Sequence, residues 1–143
     1  MIRMSKMTDY GIVLMVGLAR AGSARTARQL AVETDLPLST VAKVLKALNR
    51  NGFLESRRGA QGGYSLLRSA EGIGIAELIE ALEGPIALTE CSSAPSGSGC
   101  SHEDTCPVRA PWVQINRAVK NALADISLSD MSSPNFGTLE VER

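Results

Sequence analysis

Apolar residues fall at helical spacing in the first third of the chain. Ile12, Met15, Val16 and Ala19 predict a helix capped at Thr8 and running to about Ala21, with Gly22 at its end. Thr26 opens a second, short helix with Leu30 and Ala31 facing inward. Asp35-Leu36-Pro37-Leu38 reads as a turn, because the residue before a proline resists helical geometry. Ser39 caps a third helix that stops at Asn51-Gly52. Its Val41, Val44, Leu45 and Leu48 form an i, i+3, i+4, i+7 stripe.

The pattern then changes. Phe53–Ser56 and Tyr64–Leu67 predict two strands of a hairpin, joined by the glycine-rich basic turn 57–63. Residues 75–83 predict an amphipathic helix ended by Gly84-Pro85. From Thr89 to Thr105 the chain is rich in Ser, Gly and Pro and has no periodicity. Pro107 and Pro111 stand near the start of a long last helix reaching about Ile126. On it Val108, Trp112, Ile115, Val119, Ala122 and Ile126 are spaced 4, 3, 4, 3, 4, a heptad-like seam that needs a partner. A symmetric homodimer would supply one, and with it two recognition helices for two half-sites. There is no internal repeat, and the polar tail after Ser132 is expected to fray.

The expected fold is mainly α with a small β-hairpin wing: a winged helix-turn-helix followed by a long C-terminal dimerisation helix. The expected division is 1–84 for the DNA-binding domain, 85–106 for a cysteine-rich loop, 107–131 for the dimerisation helix and 132–143 for the tail.

At 143 residues the chain suits one domain with a real core. No apolar run approaches the ~18 residues of a membrane span, and Met1–Lys6 lacks the features of a signal peptide, which together point to the cytoplasm. The formal net charge of zero conceals a division. Residues 1–68 carry eleven Lys/Arg against four Asp/Glu, and residues 69–143 carry four against eleven. A basic half suits a polyanion.

On a wheel of about 100° per residue, Ser39, Lys43, Lys46 and Arg50 lie opposite the apolar stripe of the third helix. One face packs on the core, and the other presents hydroxyls and cations to a major groove. Arg57 and Arg58 in the wing can meet phosphates or a minor groove. The candidate DNA-contacting set is Ser39, Thr40, Lys43, Lys46, Arg50, Arg57, Arg58 and Gln61, and the partner is double-stranded operator DNA.

Cys91, Cys100 and Cys106 have the spacing C-x8-C-x5-C, a poor match to zinc knuckles. Three soft ligands within sixteen residues suit an iron–sulfur cluster, with the fourth ligand drawn from His102, Glu90, Asp104, Glu103 or Asp9. Three unliganded thiols, or thiols that sense oxidation or hold zinc, remain the alternatives. His102 is the single histidine, with no nucleophile–base set around it, and no phosphate-binding glycine motif precedes a helix; an enzyme is not expected.

These motifs together resemble the IscR/NsrR-type family of iron–sulfur-responsive winged-helix transcription regulators, and within it the regulators of SUF cluster assembly. The resemblance rests on Met7-Thr8-Asp9-Tyr10, Ser39-Thr40-Val41 through Leu48, and Arg58-Gly59-Ala60-Gln61-Gly62-Gly63-Tyr64. It continues through Ala81-Leu82-Glu83-Gly84-Pro85, the three cysteines and Ser127-Leu128-Ser129-Asp130-Met131. It implies a homodimeric regulator, mostly a repressor, with the last helices crossed and a cluster held by Cys91, Cys100 and Cys106. Some members add a histidine three residues after the last cysteine; here Arg109 stands there and cannot ligate. Others add an aspartate near the N-terminus of the second subunit, which Asp9 matches, with His102 as the local alternative. A 2Fe–2S cluster is favoured and 4Fe–4S is left open.

Overall fold

Ser5, rather than Thr8, opens the first helix: its hydroxyl accepts the Thr8 amide at 3.2 Å. In the computed structural model, which describes residues 2–93 and 100–135, Thr8 is instead fully buried one turn inside. Helix α1 (Lys6–Ala21) ends at Gly22, whose left-handed backbone brings its amide to the Leu18 carbonyl. Helix α2 (Ala27–Thr34) begins with a reciprocal capping box between Thr26 and Gln29. Helix α3 (Leu38–Arg50) starts directly after Pro37 with no side-chain cap, so Ser39 lies in its first turn and does not cap it. A proline that fixes its own φ and lacks an amide can begin the helix without a capping hydroxyl.

Strands β1 (Leu54–Arg57) and β2 (Gly63–Leu66) form the antiparallel wing, paired from Leu54 with Leu66 to Arg57 with Gly63. Each is shifted by one residue from expectation, because Phe53 is drawn into the core and only its carbonyl serves the hairpin, accepting the Leu67 amide. Helix α4 (Ile75–Glu83) follows as expected. Helix α5 (Arg109–Ala124) stops short of Ile126, and helix α6 (Leu128–Ser132) follows under a capping box between Ser127 and Asp130. The single helix expected over 107–131 is therefore two.

The break has a packing cause. The Ile75 amide donates to the Ile126 carbonyl, and the Leu128 amide to Ile73, so the chain lays a short antiparallel rung beside the start of α4. Leu128 is then fully buried in the same core as Leu14, Met15, Leu30, Val41, Leu45, Leu48, Ile73 and Leu78. Each such side chain contributes about 1.5–3 kcal/mol by leaving water. Arg20 of α1 donates to the Ser132 carbonyl and fastens the far end. The tail expected from residue 132 lies outside the described residues beyond Asn135, as does 94–99 of the cysteine loop.

Candidate nucleic-acid interface and cysteine loop

The two faces of α3 separate as the pattern requires. Val41, Val44, Leu45 and Leu48 are buried, whereas Ser39, Lys43, Lys46 and Arg50 are exposed and Thr40 is half-buried. Arg58 and Gln61 are exposed at the wing tip. Arg57 is exposed too, but it folds back along its own strand to pair with Glu55 at 3.0 Å, and Glu55 also accepts the Ser65 hydroxyl. A DNA phosphate would have to compete with that carboxylate for Arg57. Arg58 has no such rival among the described residues.

The wing does not swing freely. The Arg25 and Tyr64 backbones exchange two hydrogen bonds, at 2.9 and 2.7 Å, which adds the chain before α2 as a third rung. Arg25 in turn pairs with Glu33 of α2. The wing is thus held at a fixed angle to the helix-turn-helix.

Charge pairing divides the cations. Arg25, Arg57, Arg68, Arg109 and Lys120 each meet a carboxylate. Lys43, Lys46, Arg50 and Arg58, the cations of the recognition face and wing tip, meet none among the described residues, and neither do Arg3, Lys6, Arg20, Arg28 and Arg117. Beside the recognition face Lys6 and Tyr10 of α1, which sequence reasoning did not select, line one groove with Ser39, Thr40 and Lys43. The sequence signals for them were a lysine in the first turn of a helix and the place of Tyr10 in the Met7-Thr8-Asp9-Tyr10 motif.

The cysteines are placed differently. Cys91 is buried in a single 3-10 turn, Glu90–Ser92, with its Sγ 3.2 Å from the Thr89 hydroxyl. Cys100 and Cys106 are half-buried, and all three are free thiols. Asp9 is exposed in the first turn of α1, and His102 is exposed in the turn between Cys100 and Cys106. Among the described residues no three His, Cys, Asp or Glu side chains come together to hold a metal ion. The donors are right in kind for a cluster, three soft thiols and a carboxylate, but one chain alone does not gather them. Arg109 pairs with Glu103 at 2.7 Å, so one of the candidate fourth ligands is engaged by a cation.

The last-helix seam also divides. Val108, Trp112, Ile115 and Ala122 are exposed, while Val119 is half-buried beside Ile79 and Leu123. Ile126 packs against the chain's own core, past the end of α5. Sequence reasoning missed Asn116, which is buried on this helix and holds the segment before Cys91: Oδ1 accepts the Leu88 amide and Nδ2 donates to the Ile86 carbonyl, both at 3.0 Å. A lone polar residue on the inner face of a helix was its only signal.

A winged helix with an exposed cationic recognition face suits a DNA-binding transcription regulator. Residues 4–134 match the model of Rrf2, described as an iron-dependent transcriptional regulator, and the chain belongs to that family. It is 30% identical over 142 residues to the HTH-type transcriptional regulator CymR of Bacillus subtilis, covering 97% of this chain and 96% of that one. It is 26% identical over 133 residues to the regulator IscR of Escherichia coli O1:K1, covering 91% and 80%. The solved structure of CymR, the global cysteine regulator of B. subtilis, superposes with a TM-score of 0.75 at 29% identity, covering 92% of this chain and 97% of that one. No helix among the described residues is long and apolar enough to cross a membrane.

Proposed function

We propose that the chain is a cytoplasmic, homodimeric repressor that senses iron–sulfur cluster status and controls SUF-type cluster-assembly genes. The observation that carries the DNA-binding part is the set of cations without an ion pair among the described residues, Lys43, Lys46 and Arg50 on the exposed face of α3 and Arg58 at the wing tip. The α3 cations stand opposite a buried stripe, and the wing is fixed by the Arg25–Tyr64 rung. Ser39, Thr40 and Gln61 supply hydroxyl and amide groups for base edges or phosphates.

For the sensing part, Cys91, Cys100 and Cys106 would hold the cluster, with Asp9 of a second subunit or His102 as fourth ligand. When bound, the cluster supplies a centre whose state changes with oxygen, nitric oxide or iron supply. The chain's own contribution is positional. Asn116 ties residues 86–88, and so the approach to Cys91, to α5. A change of order at Cys91 therefore has a short covalent and hydrogen-bonded route to the helix proposed to dimerise.

A second reading keeps DNA binding and assigns the cysteines to thiol oxidation or to zinc. It is favoured by the likeness to CymR, the global cysteine regulator of B. subtilis. Anaerobic purification with visible absorption and iron, sulfide and zinc analysis separates the two. A brown protein that loses colour in Cys91→Ser, Cys100→Ser and Cys106→Ser, and whose duplex affinity at one fixed salt concentration differs with and without the chromophore, supports the first. A colourless protein whose binding follows thiol oxidation supports the second.

A further inference from the structure

We infer that the groove between α1 and α3 seats a backbone phosphate of duplex DNA, which makes the first turn of α1 part of the DNA interface. The inference rests on the DNA-binding reading above and extends it to Lys6 and Tyr10, outside the recognition helix and the wing.

The groove, of about 320 Å³, is lined by Lys6, Met7 and Tyr10 from α1 and by Ser39, Thr40, Lys43 and Val44 from α3. No carboxylate lines it. Asp9, the residue before Tyr10, is exposed but is not among the lining residues. Two ammonium groups on one groove repel each other, and neither Lys6 nor Lys43 makes an ion pair among the described residues. Arg25, Arg57, Arg68, Arg109 and Lys120 are matched by acids while the other described cations are not, and Lys6 and Lys43 differ from those in sharing one groove. An unmatched pair of cations flanked by three hydroxyl donors suits one anion with several acceptor oxygens. The first turn of α3 adds to the same field, since Pro37 leaves it without a side-chain cap and its amides point outward from the helix start.

The position selects the source of that anion. Ser39 and Lys43 belong both to this groove and to the exposed face of α3. When that face lies in a major groove, its flank meets the sugar–phosphate strand that borders the groove. Lys6 would then act as a point charge on that strand and Tyr10 as a hydroxyl donor. Both would fix register without reading a base.

The test measures binding of a labelled random-sequence duplex, whose affinity is electrostatic, across a salt series. Lys6 is exposed, so Lys6→Ala should fold; Lys6→Gln, which keeps the stem, stands behind it if the helix start weakens. The expected result is several-fold weaker binding at low salt. The slope of log K against log salt should be shallower by about one, so the loss of affinity between about 50 and 200 mM salt becomes roughly four-fold smaller. Lys6→Arg should restore both, and Tyr10→Phe should weaken binding without changing the slope. The rank order of binding among different duplex sequences should not change in any variant. Folded Lys6 variants with parental affinity and slope would overturn the inference. If Arg50→Ala still weakened the duplex in that case, the DNA-binding reading would stand alone. If the parent protein itself showed no salt-dependent binding, that reading would fall, and this inference with it.

Discussion

The side-chain carbonyl of Asn116 accepts the backbone amide of Leu88 at 3.0 Å, joining the middle of α5 to the strand of chain that leads into Cys91. The same amide group donates to Ile86, so both of its polar atoms are used. Lys120 of α5 pairs with Glu80 of α4 on the same side. Asn116→Ala removes both bonds while leaving their backbone partners half-buried, and should cost about 1–3 kcal/mol. A denaturant melt measures that loss. The more specific outcome is at Cys91, which should react faster with iodoacetamide while Cys100 and Cys106 react as before. Unchanged alkylation of Cys91 would mean that Asn116 stabilises the fold without governing the loop.

Gly63 sets the angle of the wing. Its φ is +127°, and a Cβ there would stand 2.6 Å from the Arg25 carbonyl carbon and oxygen. Gly63→Ala should therefore break the Arg25–Tyr64 rung as well as strain the backbone, at a cost of about 1–3 kcal/mol. Gly59 also has a positive φ, of +106°, but meets nothing within 4 Å. Gly59→Ala should carry strain alone and leave the rung in place. Amide hydrogen exchange at Arg25 and Tyr64 distinguishes them: faster exchange in the Gly63 variant only. Equal exchange in both would show that the wing is not held by this contact.

Glu83 gives the fold an acid limit. Hydrogen bonds from the Ser5 hydroxyl and amide hold its carboxyl below the usual range, against a small opposing effect of burial. A carboxylate depressed in the folded state stabilises above its unfolded pKa and loses that contribution as pH falls through the folded value. Glu83 is exposed, so solvent screens the effect and the loss is modest. Melting temperature should fall on acidification below the ordinary glutamate range, and Glu83→Gln should be less sensitive over that window. Parallel acid profiles for parent and variant would remove this role from Glu83.

Local pattern was legible where one helix face decides between core and water. The α3 stripe and the opposing cations follow from spacing alone, because a helix has one period and Val41, Val44, Leu45 and Leu48 leave no choice of buried face. Legibility failed where a long-range partner competes with a local signal. Thr8 looks like a cap but is buried, since Ser5 reaches its amide first and is itself drawn to Glu83 across the fold. Ile126 fits the heptad spacing, yet its carbonyl serves Ile75 and its side chain joins the core. The groove shared by Lys6 and Lys43 was not legible at all, because the two lysines are brought together only by the packing of α1 on α3.

That division decides how the dimer should be tested. At the start of α5 and along it the large exposed apolar side chains are Val108, Trp112 and Ile115, at 49%, 37% and 46% exposure, and these are the residues on which the proposed dimer contact can be tested. Val119, in the same heptad series, is half-buried beside Ile79 and Leu123 of its own chain. Val119→Asp would therefore place a carboxylate in the groove that the chain's own Ile79 and Leu123 line, and would not report on assembly alone. Ile115→Asp leaves the monomer intact, within about 0.5 kcal/mol, but buries an unpaired charge if two copies of α5 meet there. Sedimentation of Ile115→Asp should show a monomer with parental helicity. Its affinity for a two-half-site duplex should fall to near that of a single half-site, since linkage of two recognition helices is what a dimer adds. A dimer that survives Ile115→Asp and Trp112→Asp with full duplex affinity would place the contact between subunits away from this face of α5.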